Sequence, residues 1–284
     1  MRINFFGHCL LASALTLVGA LASAQIIDVR TGKATDESAL SDILKSADIV
    51  LLGELHDNKF HHEARGRLIA RFADHRRTIV SEHMPAPNQV NFQSVIKEDL
   101  QAAGFDTEGW DWPIHQSLYE QIKNKGITVV GGNLPKEEAR RMFLQGVSSL
   151  PERMAQTYTQ SRLDETAERK LDHDLVDGHC GKLPEKYLLR MRFAQRMTDL
   201  SLAHNLLDRR PSILIAGNGH VRRDYGVPQI LASVAPESKV VSVGFLEQGS
   251  STQDLLQSVS GQYDYIWIAE RAERKDPCEN FNLK

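Results

Sequence analysis

The chain has 284 residues, with 34 Lys and Arg against 37 Asp and Glu, for a formal net charge of −3. That length buries a substantial core, as one large domain or one domain with a subdomain. The charge balance gives no electrostatic reason to expect nucleic acid as a partner, and the apolar and charged fractions, 41% and 25%, are those of an ordinary globular protein.

The N-terminus reads as a targeting segment. Arg2 supplies the positive start, Leu10 to Leu21 is a short apolar run, and Ala22-Ser23-Ala24 is an A-x-A cleavage signal before Gln25. The run is too short for a comfortable membrane span. Residues 1–24 are therefore expected to be a signal peptide cleaved near Ala24, with export to the periplasm. Cys9 precedes the apolar run and is a poor lipid-attachment cysteine. Cleavage leaves Cys180 and Cys278, which in an oxidising compartment are expected to form one disulfide; two separate buried thiols are the alternative.

In chain order, Ile49-Val50-Leu51-Leu52 sits in a predicted strand over 47–52, followed by a helix over 59–76 with Asp57 or Asn58 as cap. Strand 78–81 ends at Glu82-His83. Helices are predicted over 87–103 and 114–125, then strand 127–130, ending at Gly131-Gly132-Asn133. A long helical region runs from 136 to about 209, broken near 178–184 by Gly178, Gly181 and Pro184. Strand 212–216, a short helix near 227–235 and strands 239–243 and 263–269 complete the pattern. Alternating strands and helices predict an α/β fold, a mostly parallel sheet flanked by helices. The domain reading is a core of 25–136 and 210–284, with a small helical subdomain, 137–209, inserted in it.

Two G-x-x-H tetrapeptides, Gly53-Glu54-Leu55-His56 and Gly217-Asn218-Gly219-His220, each follow an apolar strand. Open α/β sheets bind ligands at the carboxyl ends of their strands. Glu54, His56, Glu82 and His220 are thus the candidate catalytic residues, converging by topology. Two imidazoles and a carboxylate suit a divalent cation, zinc, manganese or cobalt, with His56, Glu82 and His220 as ligands and a second glutamate as base. The bland alternative is that a short pattern occurs by chance and its histidine caps a loop.

Other residues divide between roles. His61 and His62 line the cleft or sit at a solvated helix end. His83 alternates away from Glu82. His75 reads as surface, and His115, after Trp110-Asp111-Trp112-Pro113, as part of an aromatic-lined wall or the cap of a packed corner. Gln195 interrupts an apolar stripe of Leu188, Met191 and Leu202, with Asp199 four residues on. Either that amide is buried against backbone, or Gln195 and Asp199 orient the site. The c-type attachment pattern C-x-x-C-H is absent, which argues against covalent haem. Non-covalent haem needs an apolar slot and an axial ligand, for which Tyr225 is a candidate. Arg222 or Arg223 is placed to bind a carboxylate or propionate.

These motifs together resemble a known family. Gly53 to Asn58, Ser81-Glu82-His83-Met84, Gly131-Gly132-Asn133, Gly178-His179-Cys180-Gly181, Ala194-Gln195 with Asp199, Ala216 to Arg222, and Tyr225-Gly226-Val227-Pro228 look like the ChaN family. This is the haem-binding uptake group of the TIKI superfamily, and the resemblance spans about residues 40 to 245. It implies a parallel-sheet α/β domain with a small helical subdomain, non-covalent haem as cofactor and partner, and a link to the haem-iron uptake machinery, with a homodimer as the assembly to test. Tyr225, Arg222, Gln195, Asp199 and Asn133 are the cofactor-binding candidates. Related superfamily members are metal-dependent proteases or erythromycin esterases, which keeps a metal-dependent hydrolase open as the alternative.

Overall fold

The computed structural model describes residues 25–249 and 251–279. The expected signal peptide and Cys9 lie outside them. A hairpin of β1 (Gln25–Asp28) and β2 (Lys33–Thr35) leads to α1 (Glu37–Lys45), β3 (Ile49–Leu52), α2 (Lys59–Phe72) and β4 (Thr78–Pro85). Then come α3 (Ile96–Ala102), a 3₁₀ turn (Trp112–His115), α4 (Gln116–Asn124) and β5 (Thr128–Asn133). Four helices follow, α5 (Lys136–Gln145), α6 (Glu152–Gln160), α7 (Glu165–Gly178) and α8 (Glu185–Leu207). The chain closes with β6 (Ser212–Ile215), α9 (Val227–Val234), β7 (Val240–Glu247), α10 (Thr252–Ser258) and β8 (Tyr265–Ala269).

The eight described strands form one sheet in the order β2-β1-β8-β7-β3-β6-β4-β5. The pairings from β8 through to β5 are parallel, and only the β1 edge and its hairpin partner run antiparallel. The central strands are buried on both faces, as continuous branched runs require. Ile49 to Leu52 and Ser212 to Ile215 are fully buried. One face packs Val50, Leu52, Ile213 and Ile215 under α1, α2 and α4. The other packs Leu51, Val80 and Leu214 under α8 and α9. Helix α8 lies on the sheet, with Met197, Leu200, Leu202, Ala203 and Leu206 buried. Among the described residues no helix is long and apolar enough to cross a membrane.

Three differences from the sequence reading have local causes. The helix expected over 87–103 begins only at Ile96, because the segment after the cis Ala86–Pro87 bond is extended: Gln89 bridges β5, and Val90 N–H donates to Val129 O. The first helix, α1, is not among the predicted elements, although Leu40, Ile43 and Leu44 repeat at helical spacing and Asp36 caps it, accepting from Ala39 N–H. Helix α2 ends at Phe72 rather than 76, with Asn58 as its cap.

Candidate functional site

Past β3, the Gly53-Glu54-Leu55-His56 turn drops Glu54 into the interior, 1% exposed. Its Oε1 accepts from His56 Nδ1 at 2.7 Å and from His83 Nε2 at 2.8 Å. Its Oε2 is paired with Arg65, and neither side chain reaches solvent. Arg65 comes from α2, whose His61 and His62 are also fully buried, so the solvated-end alternative for those two does not hold. His62 Nε2 lies 2.9 Å from the His56 carbonyl, and its Nδ1 lies 2.7 Å from Arg65. His61 Nδ1 accepts from Leu55 N–H, which fixes the turn. Burial drives His83 and His62 down to about 3 and His61 to about 4, so all three are neutral imidazoles at physiological pH.

Aromatic rings close this side. Trp110 stands 5.0 Å from His56 and 4.7 Å from His83, centroid to centroid. His115, fully buried, packs tilted against His62 and edge-on to His83, with ring centroids 4.0 Å and 4.9 Å away, and neither of its ring nitrogens has a hydrogen-bond partner. Of these histidines His56 is the one that opens to solvent, with its side chain 45% exposed.

A second set lies past β4 and β6. Glu82 Oε2 accepts from Gly217 N–H at 2.7 Å, while Oε1 lies 3.2 Å from His220 Nε2. The other imidazole nitrogen, Nδ1, lies 2.6 Å from Asp199 Oδ1 and 3.1 Å from Gln195 Nε2. Burial alone would lower the His220 pKa, but the two flanking carboxylates outweigh it and hold the ring well above its usual value. Burial alone would raise Glu82; His220, with His56 and His83, instead holds it well below the carboxylate range. Asp199, fully buried, is raised by desolvation, which His220 only partly offsets. His220 is thus an imidazolium clasped between two acids.

Gly217 joins the two sets. A Cβ there would sit 2.9 Å from His56 Nε2 and 3.7 Å from Glu82 Oε2. A side chain at 217 would thus fill the space where the two groups face each other. Asn133, at the end of β5, donates to the Glu82 carbonyl at 3.1 Å. So Glu54, His56, Glu82, His220, Gln195, Asp199 and Asn133 belong to one linked cluster at the carboxyl edge. Glu54, His56 and His83 each offer a ligand atom, and those atoms lie within 4.8 Å of one another. The sequence reading put His56, Glu82 and His220 together as ligands and left His83 aside.

Tyr225 and Arg222 sit apart from this cluster. The Tyr225 hydroxyl donates to Asp174 at 2.6 Å, and Arg222 lies over the Tyr225 ring, 4.4 Å from its centroid. Arg222 pairs with Asp174 and Asp224, and Arg223 with Asp264. Burial, with Asp174 adding to it, pushes the Tyr225 phenol up and keeps it protonated. Cys180 and Cys278 are bonded as a disulfide. Sequence reasoning missed Arg65, while Trp110, read with His115 as an aromatic wall, does pack against His56 and His83. A charged residue on a helix reads as surface, and the only signal for Arg65 was its place three residues after His62 on the face that carries the histidine.

A family model described as haem-binding uptake, Tiki superfamily, ChaN matches residues 40–231. No curated protein matches. Among solved structures, ChaN of Campylobacter jejuni, described as binding haem cofacially, is similar at 18% identity, with a TM-score of 0.65 over 86% of this chain and 96% of that one. A Bacillus cereus protein is 16% identical over 74% of this chain and 68% of its own, at a TM-score of 0.34. The family match spans most of the chain and both histidine motifs, and the chain belongs to the ChaN family of haem-binding uptake proteins in the Tiki superfamily.

Proposed function

We propose that the protein is an exported, periplasmic haem-binding protein of iron uptake, and that haem sits in a groove of the helical subdomain. The observation that carries this is where apolar surface is left uncovered. Leu144, Val147 and Leu189, three of the exposed large hydrophobic side chains, lie on that segment. A groove of about 480 Å³ opens there, lined by Val147, Tyr158, Leu163, Leu189, Phe193 and Arg162 among others. Those residues suit a porphyrin: apolar walls for the ring, an exposed Arg162 for a propionate, and the half-buried Tyr158 phenol as an oxygen ligand for ferric iron. When bound, haem supplies the iron; this chain shields one porphyrin face and pairs its acids. The strand-end cluster, dense with committed charges, offers no comparable apolar slot.

Ferric haem titrated into purified protein and followed by its Soret band tests this reading. Leu189→Glu should weaken binding about tenfold or more, as for a charge placed in an apolar contact, and Tyr158→Phe should change the axial-ligand spectrum. Binding lost with Tyr225→Phe but kept with both of those variants would place haem beside Arg222 instead. The Campylobacter relative is described as binding haem cofacially; the same mode here would bring two copies together, so haem-dependent dimerisation is expected in sedimentation. Export is checked by the N-terminal sequence of the mature chain, expected near Gln25.

A metal-dependent hydrolase is the second reading, favoured by the convergence of Glu54, His56 and His83 ligand atoms beside Glu82. Neutral imidazoles are the metal-binding form. Metal analysis after loading with zinc, manganese or cobalt separates the readings: stoichiometric metal lost on His56→Ala, with no Soret change from haem, would favour the hydrolase.

A further inference from the structure

Helix α7 is the least embedded of the long helices. Of its fourteen residues only Ala167 and Leu171 are buried, and their apolar cluster is completed by Tyr225, Leu163 and Leu175. Its other ties are polar: Asp174 to Tyr225 and Arg222, Lys170 to Asp224, and Glu168 and Asp172 to Arg192 of α8. Yet this helix covers Tyr225, which is 2% exposed, and with Leu163 and Glu168 it forms one wall of the apolar groove. Cys180, just past its end, is bonded to Cys278. The tail that carries Cys278 is anchored on the core, where Ala272 N–H donates to Glu247 and Arg274 pairs with Glu247 and with Asp57, the neighbour of His56.

We propose that α7 is a flap over Tyr225 and the groove, and that residues 270–279 are a strap that pins it shut through the Cys180–Cys278 bond. The strap runs from the first histidine loop to the end of the flap, and the flap holds the residues that follow the second. Opening is a thiol–disulfide exchange: a dithiol gives two electrons and two protons, the Sγ–Sγ bond becomes two thiols, and the dithiol closes to a cyclic disulfide. The flap then lifts on its short apolar cluster, releases the Tyr225 hydroxyl from Asp174 and widens the groove. The consequence for haem loading rests on the haem reading above; the motion and its test do not.

The test compares the disulfide-bonded protein with Cys180→Ser/Cys278→Ser by tetranitromethane nitration mapped by mass, and by amide hydrogen exchange. Nitration of Tyr225 and exchange across α7 should each rise about tenfold in the double variant, while the buried Tyr119 and Tyr263 stay unreactive and the central strands stay protected. Asp174→Asn in disulfide-bonded protein should leave Tyr225 unreactive, since the strap still holds the flap. Unchanged nitration and exchange in the double variant would overturn the proposal. So would exposure of Tyr225 by Asp174→Asn alone, or loss of protection throughout the sheet, which would make the disulfide a global staple.

Discussion

Arg65 is paired with Glu54 in complete burial, and Glu54 in turn orients His56 and His83. Burial pulls the guanidinium down to about 9, so it remains charged at neutral pH and balances the carboxylate. Removing one partner of a buried pair strands the other charge. Arg65→Met should therefore destabilise by about 3–5 kcal/mol in urea unfolding. Adding Glu54→Gln to it should recover part of that loss. A single variant within about 0.5 kcal/mol of wild type would mean that the pair does not hold the turn.

His220 gives a direct electrostatic test. Its raised pKa depends first on Glu82 and then on Asp199. Glu82→Gln removes one of the two charges while keeping an oxygen for Gly217 N–H. The imidazole pKa, read by NMR titration, should fall toward its usual value, and Asp199→Asn should act in the same direction. A ring that titrates unchanged in both variants would show that neither acid is its partner.

Stability should fall on mild acidification. His61, His62 and His83 take up protons near 6.5 when unfolded but only near 4, 3 and 3 when folded. Between those limits the unfolded state binds more protons, so stability drops as pH falls from 6.5 toward 4, by up to roughly 1.4 kcal/mol per pH unit for each group. Glu82 adds a further loss below its ordinary carboxylate range, because its folded pKa is depressed. His220 has the opposite sign: its folded pKa is raised, so its contribution is complete below 6.5 and is lost as pH rises through the folded value. The urea midpoint should thus decline between pH 7 and pH 5; a flat midpoint would show these rings are not held neutral.

Gly217 and Gly53 should resist substitution for different reasons. Gly217→Ala places a Cβ 3.0 Å from His56 Cε1, so the ring must move. The fold should survive while the His56 resonances shift. Gly53→Ala drives a Cβ into Asn218 Oδ1 and to 2.9 Å from Val221 Cγ2. Asn218 clasps β7 through Phe245, donating to its carbonyl and accepting from its N–H. That variant should cost about 1–3 kcal/mol, the range for overpacking, read by thermal or urea unfolding. Equal, small effects at both positions would contradict the close approach.

The apolar strands were legible because β3, β4, β5 and β6 are continuous branched runs, which periodicity detects. The histidine loops were legible for the same reason: each follows such a run. Gln195 and Asp199 were found as polar breaks in an apolar stripe, and both reach His220. Elements of weak pattern were missed. The hairpin strands β1 and β2 are four and three residues long, and α10 is seven residues with no buried position. Arg65 was not legible as buried, because its burial depends on Glu54 from a separate element, whereas His115, read as an aromatic wall or packed corner, is buried against the rings of His62 and His83. Tyr225 shows the same limit. Its type suited a ligand, but its engagement by Asp174 depends on how α7 folds back.

The strand order carries a consequence for how the protein is made. β6 lies between β3 and β4, yet it is synthesised only after all of α5 to α8. Until it arrives, β3 and β4 lack their shared neighbour, and Glu82 faces an open gap in place of Gly217 and His220. A chain that has not yet delivered Ser212–Ile215 therefore has three unpaired inner edges, one of β4 and both of β3, whose other neighbour β7 comes later still, and lacks the Gly217 and His220 half of the cluster. That leaves those edges exposed to wrong pairing until the last third of the chain closes the sheet.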